Sequence, residues 1–252
     1  MDFTEEQLER FSRQMMLREI GPAGQEKLAG SRVLIVGAGG LGSPAAMYLA
    51  AAGVAHIGVA DGDRVELSNL QRQIMHGTVD LGMPKTESAR RTLTGINPGT
   101  EVREYGFIDG GNIGGIISEY DFVLDCTDSA ETKFLINDAC VRGGKPFVYA
   151  GIRRFGGQLM TVIPHVTPCL RCVFGEPPLK PPDRGVVGAV AGVIGSLQAL
   201  EAIKYITGAG ELLAGRLLVF DGLAMGFRTV SLPPRGDGCP VCSTDAEKTI
   251  LK

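Results

Sequence analysis

The sequence predicts an α/β fold: a Rossmann-like, doubly wound, mostly parallel sheet with antiparallel carboxyl-terminal strands and a zinc site made of four cysteines. Short apolar runs, such as 32–36 and 122–125, alternate with segments of helical spacing. That alternation is typical of a parallel sheet covered by helices on both faces. From residue 151 to 164 the pattern becomes that of antiparallel strands, and two Cys-x-x-Cys pairs follow.

Local signals place the elements in chain order. Thr4 followed by Gln7 is a capping box and predicts a first helix with one apolar face. Strands are predicted at residues 32–36, 56–60, 101–105, 122–125, 147–149, 216–220 and 227–232. Helices are predicted from the glycine-rich loop to Ala52 and over residues 85–97, 131–142 and 188–207.

One domain is expected to span residues 1–252, because a chain of this size with 44% hydrophobic residues can build one large core. It would comprise amino-terminal helices over 1–30, a nucleotide-binding half over 31–150 and a zinc-containing half over 151–252. An exposed crossover loop is expected at about 175–187, since four prolines fall within residues 176–183.

Composition limits the partners and the compartment. A net charge of −3 offers no basic surface for nucleic acid or an anionic membrane. The acidic amino terminus has no apolar signal core, and the apolar run 185–200 is too short and too rich in glycine to span a membrane. We therefore expect a cytoplasmic protein without nucleic-acid or membrane partners, in which thiols stay reduced.

A glycine-rich loop follows the first predicted strand, with Gly37, Gly39 and Gly42 in the spacing Gly-x-Gly-x-x-Gly. Glycines let backbone N–H groups approach a phosphate, and the start of the following helix favours negative charge. Asp61 stands 24 residues after Gly37, at the end of the next strand, where a carboxylate can hold ribose hydroxyls. The alternative is tight strand–helix packing without a ligand.

Charged residues at further strand ends favour ATP over a nicotinamide nucleotide. Arg72 and Lys85 would neutralise a triphosphate and a departing pyrophosphate. Asp125 and Asp128 could hold Mg²⁺ through oxygen atoms. Each residue also has a simpler explanation: Arg72 as a surface ion pair, Lys85 as a charge at a helix start, and Asp128 as a helix cap.

The two Cys-x-x-Cys pairs, Cys169 with Cys172 and Cys239 with Cys242, supply four thiolates for a closed, tetrahedral zinc site. A redox dithiol is the alternative, but the second pair lies too near the carboxyl terminus for the helix that such a motif needs. Cys126 and Cys140 are expected to be buried packing residues. The three histidines show no metal-binding spacing and receive no role.

These motifs occur together in one known family. The segment 67–73, Leu-Ser-Asn-Leu-Gln-Arg-Gln, is highly specific for it, whereas the glycine loop is not. Further matches are 13–18, 37–42, Lys85, 124–128, 192–198 and both Cys-x-x-Cys pairs. On these residues the chain resembles the ThiF/MoeB/HesA family, the bacterial relatives of ubiquitin-activating enzymes, over nearly its whole length.

The resemblance implies an adenylyltransferase that uses ATP, Mg²⁺ and Zn²⁺. Its substrate would be a small ubiquitin-like sulfur carrier protein ending in Gly-Gly, ThiS- or MoaD-like, which serves thiamin or molybdopterin cofactor biosynthesis. The carrier carboxylate would attack the α-phosphorus of ATP and give an acyl-adenylate and pyrophosphate. Arg13 would reach the active site of the other subunit of a homodimer.

The resemblance also implies roles for individual residues. Asp61 would hold the ribose, and Asp128 would hold the Mg²⁺. Arg72 and Lys85 would bind the phosphates together with Asn69. The implied catalytic residues are Arg13, Arg72, Lys85 and Asp128. The implied nucleotide-contacting residues are Gly37, Gly39, Gly40, Gly42, Asp61, Ser68, Asn69, Gln73 and Ser129.

The chain departs from the family in three places. Many relatives carry a cysteine in the crossover loop, but residues 180–187 contain none, so no thioester or acyl disulfide is expected there. No rhodanese-like extension is expected after Lys252. Adenylation alone is therefore expected, with sulfur supplied by a separate donor. Ser129 stands where relatives often have Asn, which puts one nucleotide contact in doubt.

Three other functions remain open at this point. A nicotinamide-dependent oxidoreductase would explain the glycine loop and Asp61 but leaves Arg72, Lys85 and the zinc cysteines unexplained. A relative that activates tRNA shares the same core, although the charge balance is against it. A non-catalytic binding subunit would not need to keep Arg13, Arg72, Lys85 and Asp128.

Overall fold

A computed structural model describes residues 3–177 and 185–243. Within them, eight strands form one sheet in the order β3-β2-β1-β4-β5-β6-β7-β8. The strands are β1 Arg32–Val36, β2 His56–Ala60, β3 Glu101–Tyr105, β4 Phe122–Asp125, β5 Phe147–Arg153, β6 Gly156–Val162, β7 Arg216–Asp221 and β8 Gly226–Ser231.

The helices cover both faces of this sheet. They are α1 Glu5–Met15, α2 Gly21–Gly30, α3 Gly42–Ala51, α4 Lys85–Ile96, α5 Ile113–Ser118, α6 Ala130–Arg142, α7 Leu170–Phe174 and α8 Gly188–Thr207. The predicted capping box at Thr4 and Gln7 is confirmed, since both of its hydrogen bonds form. Ser129 caps α6 by accepting a hydrogen bond from the Thr132 N–H.

The predicted fold class is confirmed by the strand directions. Strands β1 to β5 pair in parallel, and β5 to β8 pair antiparallel. Strand β1 lies between β2 and β4, so the chain winds outwards from β1 in both directions. The carboxyl end of β1 is therefore the switch point at which such sheets bind ligands. Strand β5 runs four residues beyond its predicted end at Tyr149, because β6 pairs with it up to Arg153.

Alternate residues of β1 enter two separate cores, as expected for a strand covered on both faces. Val33 and Ile35 pack with apolar residues of α2, α3, α4 and α8. Leu34 and Val36 pack on the other face with α5, α6 and α7. The second core also contains Cys169, Cys239 and Cys242, so these cysteines lie within the hydrophobic interior.

Helix α8 is long and apolar enough to cross a membrane by length and composition. In this fold its apolar residues have another use, because it packs against α2, α3, β5 and β6. Val190, Ile194 and Ala202 are buried there. The amino end of α8 also touches the residues around the glycine loop. A Cβ at Gly188 would lie 2.3 Å from the Gln71 carbonyl oxygen.

Candidate active site and metal centre

The glycine loop, residues 37–42, connects β1 to α3 at the switch point of the sheet. Two of its glycines are required by packing. A Cβ on Gly42 would lie 1.9 Å from the Gly37 carbonyl oxygen, and one on Gly37 would lie 2.7 Å from the Cys126 carbonyl oxygen. Gly37 also has a φ of +101°, which favours glycine. Strand–helix packing therefore accounts for these two glycines without a ligand.

Gly39 is different. The nearest atom to a Cβ placed on it is Gln73 Nε2 at 3.5 Å, an ordinary contact distance. Nothing in the protein's own packing therefore demands glycine here. Because glycine has no side chain, the backbone at Gly39 stays open on the side that faces Gln73. A loop that binds phosphate needs such open backbone.

The loop presents backbone donors that have no acceptor within the described part of the chain. The Ala38 N–H donates to Asp61 at 2.8 Å. For the N–H groups of Gly39, Gly40 and Leu41, no acceptor exists among residues 3–177 and 185–243. They lie directly before α3, whose first turn has no side-chain cap. Unpaired N–H groups at a helix start form a site for an anion such as a phosphate.

Asp61 and Lys85 lie at the edge of this loop. The carboxylate of Asp61 accepts hydrogen bonds from the N–H groups of Ala38 and Asp63, both at 2.8 Å. The Nζ atom of Lys85 is 2.7 Å from Asp63 Oδ2 and 3.8 Å from Asp61 Oδ1. Lys85 is buried although it begins α4, where a positive charge opposes the helix dipole. The two carboxylates offset that charge.

The segment 67–73 lies across the glycine loop. The Arg72 side chain passes close to Gly40, with its Cγ atom 3.4 Å from the position of a Cβ there. Its guanidinium donates to the Ser68 carbonyl at 3.1 Å. Asn69 holds the turn, because its side-chain oxygen accepts from the Glu66 N–H at 3.2 Å. The highly specific motif thus brings Arg72 to the unpaired donors.

Gln73 carries a second unpaired group. Its side chain is 4% exposed, and its Oε1 atom is buried without a hydrogen-bond partner among the described residues. An unpaired buried amide oxygen costs about 1–3 kcal/mol, so such groups are rare away from functional sites. Its amide is adjacent to Gly39. The loop and Gln73 therefore both have unused hydrogen-bonding capacity at one place.

Asp125, the last residue of β4, and Asp128, which follows the strand, have different surroundings. Asp125 is fully buried, accepts from the Thr127 hydroxyl at 2.8 Å and pairs with Lys133 at 3.2 Å. Asp125 is thus already neutralised by a buried cation, so Asp128 is the better placed of the two for Mg²⁺. Asp128 is exposed and has no hydrogen bond or ion pair within the described part of the chain. Asp128 does not cap α6, because Ser129 does.

Ser129 and Ser68 are also predicted nucleotide contacts. The hydroxyl of Ser129 is occupied as the cap of α6 and donates to Glu131 at 2.8 Å. Ser68 is exposed, and its hydroxyl lies 3.4 Å from Glu66 Oε2. The Ser129 hydroxyl thus already makes hydrogen bonds within α6. The Ser68 hydroxyl makes only a long contact with Glu66.

Arg13 is exposed and is not bonded to the glycine loop of its own chain within the described residues. It lies in the last turn of α1. No hydrogen bond or ion pair joins it to the glycine loop among residues 3–177 and 185–243. Exposed apolar side chains follow directly after α1, at Met16 and Leu17, and occur on α3 at Tyr48 and on α8 at Leu200.

Sequence reasoning missed three polar residues that support the site, of which His76 and Gln198 are buried and Lys133 is partly buried. Lys133 pairs with Asp125 and donates to the Ala150 carbonyl at 2.6 Å. Gln198 donates to the Asp125 carbonyl at 2.9 Å, and His76 contacts the Ala38 carbonyl at 2.8 Å. Gln198 lies in the matched segment 192–198, which was a signal. The contacts of Lys133 and His76 join residues far apart in the chain.

The four-cysteine centre consists of Cys169, Cys172, Cys239 and Cys242. Their Sγ atoms lie within 4.8 Å of one another. The shortest contacts join the two pairs, with 3.7 Å between Cys169 and Cys239 and 3.4 Å between Cys172 and Cys242. Tetrahedral zinc with bonds of about 2.3 Å requires sulfur atoms about 3.8 Å apart, so the cluster is compatible with zinc.

The geometry does not favour the redox alternative for these cysteines. Helix α7 does begin directly after Cys169, as in redox dithiols. The sulfur nearest to Cys169 is nevertheless that of Cys239, from the other pair. Cys126 and Cys140 are buried, as predicted, and burial raises the pKa of both thiols above the ordinary value. They are packing residues rather than nucleophiles.

Comparisons with known proteins agree with this architecture. The model of the ThiF family matches residues 11–241. Two curated relatives, each called adenylyltransferase and sulfurtransferase MOCS3, come from Drosophila persimilis and Drosophila sechellia. They are 47% and 48% identical over 98% of this chain. The chain spans only 56% of the length of each.

Solved structures share the fold. A structure of E. coli MccB with ATP has a TM-score of 0.80 and 26% identity, covering 92% of this chain and 74% of that one. A structure of E. coli MccB with AMPCPP and MccA has a TM-score of 0.84 and 24% identity, covering 96% and 76%. The family match and the curated relatives together show that the chain belongs to the ThiF family.

Proposed function

We propose that this chain is an ATP-dependent adenylyltransferase that activates the carboxyl terminus of a small ubiquitin-like carrier protein. The observation that carries the proposal is the group of unpaired N–H donors at Gly39, Gly40 and Leu41, with Arg72 packed beside them. The names of the curated relatives and the MccB structure with ATP support it.

The residues fit a triphosphate better than a nicotinamide nucleotide. The free N–H groups of the loop would hold phosphate oxygens, and Asp61 would receive the ribose hydroxyls through its remaining lone pairs. Arg72 and Lys85 would neutralise the phosphates. Gln73 and Asn69 complete this side of the site. We retain Gly37, Gly42, Ser68 and Ser129 as residues that shape it.

Asp128 fits a magnesium ligand. Mg²⁺ in nucleotide sites uses one or two carboxylates, keeps several waters and takes phosphate oxygens for the rest. Asp128 is exposed in the segment after β4, and Asp125 is already paired with Lys133. Asp128 would therefore hold the ion alone. When bound, Mg²⁺ supplies positive charge to the triphosphate.

The chemical step needs positioning and charge neutralisation rather than a protein nucleophile. A carboxylate oxygen of the carrier's last glycine would bond to the α-phosphorus. The bond from that phosphorus to the α–β bridging oxygen would break, and pyrophosphate would leave with the electron pair. Arg72 and Lys85 would stabilise the charge that develops on the leaving group.

A homodimer would complete the site. Arg13 lies on α1, close in sequence to the exposed side chains of Met16 and Leu17, and it makes no contact with its own glycine loop within the described chain. Exposed apolar side chains of this kind fit an interface between copies. Arg13 of one copy would then reach the phosphates held by the other.

The carrier would end in Gly-Gly and would serve thiamin or molybdopterin biosynthesis. The name of the curated relatives combines an adenylyltransferase and a sulfurtransferase, and both words describe those relatives. We propose that this chain adenylates and that a separate donor supplies sulfur. The predicted crossover loop at about 175–187 lies largely outside the described residues, in 178–184.

The proposed organisation is a nucleotide-binding half over 31–150 and a carrier-binding half over 151–252 that carries structural zinc, preceded by the helices of 1–30. A reducing compartment suits four zinc-binding thiolates, which supports a cytoplasmic location.

The direct test is ATP–pyrophosphate exchange with Mg²⁺ and, one at a time, each Gly-Gly-ended carrier encoded in the same genome. Exchange that depends on one carrier is the expected result and names the pathway. ATP binding without exchange for any carrier would contradict a carrier substrate. Binding of NAD without ATP would favour the oxidoreductase alternative, and exchange dependent on tRNA would favour the tRNA-activating one.

A further inference from the structure

His76 is a buried polar residue in direct contact with the glycine loop. It is 6% exposed, and its Nε2 atom lies 2.8 Å from the Ala38 carbonyl oxygen. A carbonyl oxygen can only accept a hydrogen bond, so Nε2 carries the proton and donates. On the other side of the ring, Nδ1 lies 2.8 Å from the hydroxyl of Ser88, which is fully buried in α4.

This hydrogen bond determines the direction of the first unpaired donor. The Ala38 carbonyl and the Gly39 N–H belong to one planar trans peptide and point in opposite directions. Because His76 holds the carbonyl, the Gly39 N–H must point away from the imidazole. At the preceding peptide, the Ala38 N–H is held by Asp61 at 2.8 Å. Two consecutive peptides of the loop are thus fixed by side chains.

The imidazole is itself held from behind. The Ser88 hydroxyl is 3.0 Å from Asp80 Oδ2, which also accepts from the Gly77 N–H at 2.9 Å. Arg91 pairs with the other oxygen of Asp80 at 3.0 Å. Burial lowers the pKa of His76 below its ordinary value, which favours the neutral ring with its one proton on Nε2. The Ser88 hydroxyl has a single proton, so in that state it donates either to Nδ1 or to Asp80 Oδ2. These contacts fix its orientation.

We infer that His76 is a positioning residue for the nucleotide phosphates, acting through the Ala38–Gly39 peptide. This inference rests on the proposed function, since it assumes that the loop holds a phosphate-bearing nucleotide. His76 would not touch the ligand. Its loss would release the Ala38–Gly39 peptide to rotate, so that the Gly39 N–H no longer points at a phosphate oxygen. The effect would be selective for ligands with phosphate groups.

Two matched variants separate the two sides of the imidazole. In His76→Gln the side-chain nitrogen stands as many bonds from Cα as Nε2 does, so it can still donate to the Ala38 carbonyl. In His76→Asn the side-chain oxygen can stand where Nδ1 does and accept from Ser88, while no side-chain atom reaches as far as Nε2, so the contact with Ala38 is lost. Dissociation constants for ATP and adenosine would be measured on the whole chain, with the melting temperature as a control for folding.

His76→Asn should weaken ATP binding about tenfold, equivalent to about 1.4 kcal/mol, while adenosine binding changes less than about twofold. His76→Gln should recover most of the ATP affinity. Equal losses for ATP and adenosine, or unchanged ATP affinity in His76→Asn, would overturn the inference. If the wild type itself binds no ATP, the proposed function fails instead.

A measurement on the wild type keeps the inference testable if His76→Asn does not fold. Long-range proton–nitrogen NMR spectra of the histidine rings report which nitrogen carries the proton. A neutral His76 protonated on Nε2 at pH 7 is the expected result. Protonation on Nδ1 alone would contradict the inference, because the Ala38 carbonyl would then have no donor.

Discussion

The glycine loop and the four-cysteine centre are both built from closely spaced polar groups, yet they use them in opposite ways. At the loop, Gly39 and Gly40 present N–H groups that no described residue accepts, and Gln73 adds an unpaired oxygen. At the cysteine centre, each sulfur lies 3.4 to 4.0 Å from another sulfur of the set. One region is open to a ligand, and the other closes around a metal.

The glycine loop should therefore matter mainly for ligand binding, and the four-cysteine centre mainly for the stability of the fold. Groups left open for a ligand contribute little to folding, so changing them should alter binding and spare the fold. Groups that share a structural metal contribute directly to the free energy of folding. If this comparison is correct, variants at the two regions should give opposite patterns of activity and stability.

The largest effect is expected from the cysteine centre. Cys239→Ser removes one of four zinc ligands and should lower the free energy of unfolding by several kcal/mol, since structural zinc contributes on the order of 10 kcal/mol in small domains. Metal content and the melting temperature would be measured together. Cys140→Ala is the control, because Cys140 is equally buried but lies outside the cluster. A wild type that contains no zinc would contradict this prediction.

Substitutions at Gly42 and Gly39 should have different effects, the first on the stability of the fold and the second on ATP binding. Gly42→Ala would put a Cβ 1.9 Å from a backbone oxygen, so we expect a loss of about 3–5 kcal/mol in stability. Gly39→Ala meets nothing closer than 3.5 Å, so the fold should stay within about 1 kcal/mol while ATP affinity falls. Thermal unfolding and ATP titration would be compared. Equal stability of the two variants would refute this division of roles.

Arg72→Ala should lower the rate of carrier-dependent ATP–pyrophosphate exchange about 10²- to 10³-fold, the usual effect of removing one donor that stabilises a transition state. Its unfolding free energy should change by less than about 1 kcal/mol, because the guanidinium makes one described hydrogen bond, to Ser68. Arg90→Ala is a matched control on α4, where Arg90 forms an exposed ion pair with Glu104. A comparable loss of exchange in that control would remove Arg72 from the mechanism.

The smallest effect concerns pH. The pKa of His76 is lowered by burial in the folded state, although hydrogen bonding to Ala38 acts in the opposite direction. Lys85 also lowers this pKa, whereas Asp61 and Asp80 raise it. As pH falls from about 6.5 towards the folded pKa, the unfolded chain takes up a proton and the folded chain does not, so stability is lost.

The His76→Gln variant cannot titrate at this position. It should therefore lose less stability than the wild type between pH 7 and pH 5, by at most about 1.4 kcal/mol per pH unit. The pKa of Asp80 is also lowered, chiefly by the Gly77 N–H, so its contribution is lost only at lower pH, below its ordinary value of about 3.9. Identical pH profiles for the two proteins, measured by denaturant unfolding, would contradict the buried, neutral state of His76.

The sequence predicted the fold where local patterns decide it. Apolar runs of five residues predicted β1 and β2 within their observed bounds, because strands buried on both faces have few other compositions. The end of β5 was missed, since its last residues are strand only through pairing with β6. Long-range pairing of this kind leaves little local signal.

The site was predictable to a similar extent. The segment 67–73 predicted that Arg72 approaches the glycine loop, and the spacing of the cysteines predicted their cluster. The sequence could not predict that Asp125 is buried and paired with Lys133 while Asp128 is exposed, because this depends on how α6 packs against β4. His76 was missed for the same reason, since its contact with Ala38 joins residues 38 positions apart.

Most of the proposed function depends on the binding of a triphosphate by the glycine loop. Its most direct test is calorimetric titration of the wild-type protein, in the presence of Mg²⁺, with ATP, ADP, AMP and NAD. We predict that affinity falls stepwise from ATP to AMP and that NAD binds more weakly than ATP. Equal affinity for ATP and AMP, or tighter binding of NAD than of ATP, would contradict the binding of a triphosphate by this loop.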